Sequence, residues 1–143
     1  MYSILSTYTT RGGSLMISGS YIGEESLVVP AAQALLQNVM HANYDGFISD
    51  WDEQGINGLG LTLDIPRWIN PEQYPVVHPE TLIPMGDKAF TPFVYENSRR
   101  SAAVAYTGDY RSVLLGFPFE AIRSSIDRDI VMSSLLEFLM KKQ

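Results

Sequence analysis

Four glycines within twelve residues, Gly12, Gly13, Gly19 and Gly23, set the strongest constraint on how this chain can fold. Between them lies Ser14-Leu15-Met16-Ile17-Ser18, too short for an independent helix and apolar at its centre. The reading is a fully buried strand, entered through a glycine stop and left through a sharp turn, Gly19-Ser20-Tyr21-Ile22-Gly23. In open α/β sheets the carboxyl ends of strands are where ligands and nucleophiles sit, because backbone N–H groups and side chains project there together. The turn is therefore the expected position of a site, with Gly19, Ser20, Tyr21 and Gly23 as its candidate residues.

The flanking patterns extend this frame. Met1, Tyr2, Ile4, Leu5 and Tyr8 fall at helical spacing, and Arg11-Gly12-Gly13 supplies the stop. After the turn, Glu24 and Glu25 precede Pro30, which suits a first helical turn, and Ala32, Leu35, Leu36, Val39 and Met40 form one apolar stripe ending near Asn43. From Tyr44 to Gly116 the pattern changes to short runs between Gly, Pro, Asn and Asp. Strands are expected at Gly46–Ser49, Leu59–Leu63, Ala89–Tyr95, Ala102–Thr107 and Tyr110–Gly116, with a tight hairpin at Thr107-Gly108-Asp109-Tyr110. Pro66 to Pro84 carries five prolines and is expected to be an irregular surface excursion pinned by Trp68 and Tyr74. Ser124 and Asp127 have capping-box spacing ahead of a final helix through Val131, Leu135, Phe138 and Leu139, with Lys141-Lys142 at its negative end.

With 143 residues, the chain suits one domain spanning 1–143. Because the chain opens inside a helix and then enters a buried strand, it is expected to be a partial domain, truncated at its N-terminal side. Such a sheet should leave an apolar edge or surface uncovered, through which the chain is expected to form a homo-oligomer. The net charge of −6 argues against nucleic acid, whose phosphates need clustered Lys and Arg, and no apolar run is long enough to span a membrane. With no cysteine, disulfides, thiolate metal sites and a cysteine nucleophile are all excluded.

Other constellations offer less. Ser20 is one residue out of phase with a Gly-x-Ser-x-Gly elbow, and the two histidines, His41 and His78, are its only imidazole partners. His41 reads as a half-exposed structural residue near a helix end. Asp50-Trp51-Asp52-Glu53-Gln54-Gly55 begins like a calcium loop, but Leu61 stands where the bidentate Glu belongs, so no metal site is expected. A carboxylate pair for hydrolysis could be drawn from Asp50, Asp52, Glu53 or Glu120. Tyr21, Trp51, Trp68 and Tyr74 could form an aromatic surface for carbohydrate, since rings stack on the apolar faces of sugars.

Three segments carry a family resemblance: the Gly12 to Gly23 strand and turn, the run Tyr110-Arg111-Ser112-Val113-Leu114-Leu115-Gly116-Phe117-Pro118-Phe119-Glu120-Ala121-Ile122, and the last helix with Arg128-Asp129 and Phe138-Leu139. Together they resemble the later part of a class I glutamine amidotransferase-like domain, and more narrowly that domain in exported Bacteroidetes proteins labelled xanthan lyase-like. The resemblance implies an α/β, flavodoxin-like open sheet with flanking helices and an antiparallel strand region in its second half. It also implies a longer parent chain with other domains, and a secreted or periplasmic location. Active members place cysteine at the centre of Gly-x-Cys-x-Gly, where Tyr21 stands here, and their His-x-Glu pair falls on Phe117-Pro118-Phe119-Glu120. Pro118 replaces the histidine and only Glu120 remains. A phenol with no neighbouring base is a poor replacement for a thiolate. His78-Pro79-Glu80 imitates the family's His-Pro-Glu, but in the proline-rich excursion it is expected to be surface loop. The sequence thus reads as a non-catalytic structural or binding module without a cofactor, with a Ser20 or acidic-pair hydrolase of carbohydrate or ester and a carbohydrate-binding module as alternatives.

Overall fold

A computed structural model describes residues 1–49, 55–65 and 78–141. Helix α1 (Tyr2–Thr10) stops at Arg11 and leads into strand β1 (Leu15–Ser18), followed by the one-turn helix α2 (Ile22–Glu25) and α3 (Pro30–Asn38). Strands β2 (Ala42–Phe47), β3 (Gly55–Gly58), β4 (Leu61–Asp64), β5 (Glu80–Pro84), β6 (Ala89–Phe90), β7 (Phe93–Tyr95), β8 (Ala103–Thr107) and β9 (Arg111–Leu115) come next. A 3₁₀ turn at Phe119–Ala121 then precedes helix α4 (Ser125–Met140).

The main sheet has the order β1-β9-β8-β6. Strand β1 runs parallel to β9, Leu15 opposite Ser112 and Ser18 opposite Leu115, so both strands end at the same edge. The other pairings are antiparallel: β9 with β8, β8 with β6, β2 with β5, and β3 with both β4 and β7. The fold is thus mixed α/β with mostly antiparallel sheets. Alternation along β9 separates two cores, as a pleated strand requires. Val113 and Leu115 face the cluster of Phe93, Phe117, Ile122 and the α4 residues Val131, Leu135 and Leu139. Leu114 faces the other way, onto Val104, Leu82 and the α3 side with Leu36, Val39 and Met40. Helices therefore cover both faces of the central strands.

Several expectations hold: the opening helix and its stop, Pro30 in the first turn of α3, the β8–β9 hairpin closed by Thr107 opposite Arg111, and the Ser124 cap, whose Oγ accepts the Asp127 N–H at 3.2 Å. Others are corrected. Strand β1 is not fully buried: among the described residues it pairs only with β9, and its four residues are half-buried at the edge of the sheet. Helix α3 ends at Asn38 instead of Asn43, because His41 turns left-handed (φ 51°) and residues 42–47 pair with β5. Leu59 and Gly60 form the tip of the β3–β4 hairpin, and the run Ala89–Tyr95 is divided at Thr91-Pro92. The expected excursion from Pro66 to Pro84 ends in strand β5, whose first three residues are buried. Its Pro84 closes the strand, where the missing N–H costs least.

Strand β5 is tied to the end of β9. The Glu80 N–H donates to Gly116 O at 2.7 Å, and the Gly116 N–H donates to Ala102 O at 2.9 Å. A Cβ on Gly116 would lie 2.5 Å from Glu80 O, so only glycine permits this approach. The start of β5 is thereby delivered to the edge where β1 and β9 both end.

Candidate functional site

The Gly19–Gly23 turn leaves β1 at that edge. The Phe119 N–H donates to Ser18 Oγ at 3.3 Å, so the segment carrying Glu120 lies beside the turn, as the parallel pairing of β1 and β9 demands. Glu120 is exposed on its 3₁₀ turn. Tyr21 is left-handed (φ 65°, ψ 9°) and caps α2. A side chain in this conformation costs about 1–2 kcal/mol, so the surroundings must enforce it.

Glu80 does much of the enforcing. Its carboxylate accepts two backbone N–H bonds at 2.8 Å each, Gly23 to Oε2 and Glu24 to Oε1, and thereby fixes the first turn of α2. Gly23 has to be glycine, because a Cβ there would sit 2.7 Å from Tyr44 Cδ2 and 3.3 Å from Glu80 Oε2. Glu80 is only 1% exposed. Burial raises its pKa above the ordinary 4.5; the two N–H bonds and the nearby His78 pull it back, while the neighbouring Glu24 adds to the rise.

His78 completes the cluster. Its ring stacks on Tyr21 (centroids 4.2 Å, planes 12° apart) and on Phe47 (4.2 Å, 28°). Two rings at that distance cannot share one face, so the imidazole lies between them. The residue is 7% exposed, and Nε2 lies 3.4 Å from Glu24 Oε2, a charge-pair distance without hydrogen-bond alignment. The expectation that His78-Pro79-Glu80 is surface loop is therefore overturned, and Tyr21 does have an imidazole beside it. Face-to-face stacking, however, keeps the ring nitrogens from pointing at the Tyr21 hydroxyl.

The remaining candidates separate. Ser20 is half-buried in the turn, and among the described residues no hydrogen bond joins it to a histidine. His41 belongs to the opposite edge, where Nε2 lies 2.9 Å from Tyr110 Oη and the ring stacks on Tyr106 at 3.7 Å. Asp50, Trp51, Asp52, Glu53, Trp68 and Tyr74 lie outside the described residues. Among the described residues no three His, Asp or Glu side chains gather to hold a metal ion. Next to the turn is an open hollow of about 460 Å³ lined by Tyr21, Glu24, Glu25, Leu27 and Val28. Phe47, His78 and Glu80 were missing from the sequence-based site. The literal His-Pro-Glu was the one available signal, and the prolines around it concealed the strand.

In comparisons of the chain with protein-family models and with curated proteins, nothing matches.

Proposed function

We propose that the chain is an amidotransferase-like, flavodoxin-related module that has lost its catalytic triad and acts through binding, within a larger exported protein. The observation that carries this reading is the state of the groups at the turn. Tyr21 holds the elbow position with its ring flat against His78, and both Glu80 oxygens are occupied by backbone N–H groups. An imidazole clamped between two rings and a carboxylate spent on a helix turn are poorly placed to activate a nucleophile, which needs a base in hydrogen-bond reach. The family assignment, the longer parent chain and the exported location rest on the resemblance of the Gly12–Gly23 and Tyr110–Ile122 segments. Assays with glutamine and with activated esters should give no turnover above the uncatalysed rate. Turnover that disappears on Tyr21→Phe or Ser20→Ala would overturn the reading.

A hydrolase built on Ser20 is the second reading, favoured by the arrival of His78 and Glu80 at the turn. It requires His78 to leave its stack and reach the Ser20 hydroxyl. Carbohydrate binding through Tyr21, Trp51, Trp68 and Tyr74 is tested on a glycan array with Trp51→Ala and Trp68→Ala controls. The outer edge of β1, unpaired among the described residues, is the surface through which copies of the chain would associate. A clean monomer by light scattering at high concentration would count against that association.

A further inference from the structure

We infer that the hollow beside the turn receives a lysine or arginine side chain from an apolar segment of a partner protein, an inference that rests on the binding reading above and names the partner's chemistry. Two carboxylates, Glu24 and Glu25, line the hollow, and among the described residues no basic side chain does. The chain's net charge of −6 favours the approach of a cation. Tyr21 supplies a ring for that cation. It is 48% exposed with one face taken by His78, so its accessible surface is the other face and edge, beside the hollow it lines. A cation over a tyrosine face is attracted by the ring's quadrupole.

The second, independent observation is the enclosed Nε2 of His78, which has no aligned hydrogen-bond partner and is directed at Glu24 on the hollow's wall. Enclosed polar atoms are nearly always satisfied, so this one marks an incomplete arrangement. A cation held on the outer side of the Glu24 carboxylate fixes that carboxylate in place, and its inner oxygen can then close on the imidazole N–H. His78 is then a positioning residue for Glu24. An extended segment fits better than a small free amine because the apolar exposure runs past the hollow. Leu27 is 68% and Val28 79% exposed, and Phe47, on the far face of His78, is 41% exposed.

The test titrates the ¹⁵N-labelled protein with three capped peptides identical except for a central lysine, norleucine or glutamate between leucines. The lysine peptide should give saturable shifts confined to residues 21–28 and to the His78 Nε2 resonance. Binding should weaken about fivefold or more in the Glu24→Gln, Glu25→Gln double variant, and also when salt rises from about 0.05 to about 0.5 M. Unchanged melting of the variant shows that the fold is intact. Equal binding of the norleucine peptide, preference for glutamate, shifts elsewhere, or no shift with any peptide overturns the inference. In the norleucine and glutamate cases the binding reading survives. Cleavage of a peptide or ester probe at the site would overturn the non-catalytic reading and leave the charge preference standing.

Discussion

The two histidines occupy opposite edges of the same parallel strand pair, each stacked on a tyrosine, and they have opposite hydrogen-bond fates. At the edge where β9 begins, Tyr110 donates its hydroxyl proton to Val39 O at 2.8 Å, leaving its oxygen to accept from His41 Nε2 at 2.9 Å. That assignment places the His41 proton on Nε2, and the network closes on itself. At the edge where β1 ends, His78 is also stacked, but its Nε2 has no aligned partner, and the exposed rings of Tyr21 and Phe47 and the half-buried Glu24 surround it. Similar ring contacts thus make a closed brace at one edge and leave a ring nitrogen without an aligned partner at the other. The difference lies in whether the polar atoms are satisfied from within.

The largest expected effect breaks the carboxyl edge. Glu80→Ala leaves the Gly23 and Glu24 N–H groups without their carboxylate and should cost about 3 kcal/mol in denaturant unfolding. Tyr110→Phe breaks the brace at the other edge by deleting the hydroxyl's contacts with Val39 O, Asn38 O and His41 Nε2. Its cost should be smaller, about 1–2 kcal/mol, because the ring still packs.

The two edges should also respond to pH with opposite sign. Glu80 has a raised pKa, so the folded chain holds its proton more tightly than the unfolded chain. The stability that this contributes is full below pH 4.5 and is lost as pH rises through the raised value. His41 has a pKa lowered by burial, so the stability it contributes is full above pH 6.5 and is lost as pH falls through the lowered value. Unfolding curves measured across this range should lose the acid-side gain in Glu80→Gln and the acid-side loss in His41→Asn, a substitution that tolerates the left-handed backbone. An unchanged pH profile in either variant would show that the titration belongs to other groups.

The smallest effect isolates backbone strain from ring stacking at the turn. Tyr21→Gly and Tyr21→Ala both remove the stack on His78, but only glycine relieves the left-handed conformation. The glycine variant should therefore be the more stable of the two by about 1 kcal/mol in thermal or chemical melts. Equal stability would mean that the turn relaxes once the ring is gone.

How much of this was legible follows from sequence separation. The Ser124 cap and the Thr107–Tyr110 hairpin are settled within a few residues, and their residue types announce them. Glycines announced the turn's position equally well. What grips the turn lies 57 residues away from Gly23, on a strand that exists because residues 42–47 pair with it. Its prolines argued locally for loop, and tertiary pairing overrode them. The expected burial of β1 failed for a related reason: its composition suits the middle of a sheet, whereas its position at the edge depends on which neighbours are present.

Glu80 opens strand β5, donates its own N–H to Gly116 O, and clamps the turn through its carboxylate. Folding alone is enough to hold a glutamate at that position. Among relatives of this chain, a retained Glu80 would carry no news about activity, even within an intact His-Pro-Glu. Divergence of function would instead be written at Tyr21, Glu24, Glu25 and His78, where the backbone makes no comparable demand for one side chain.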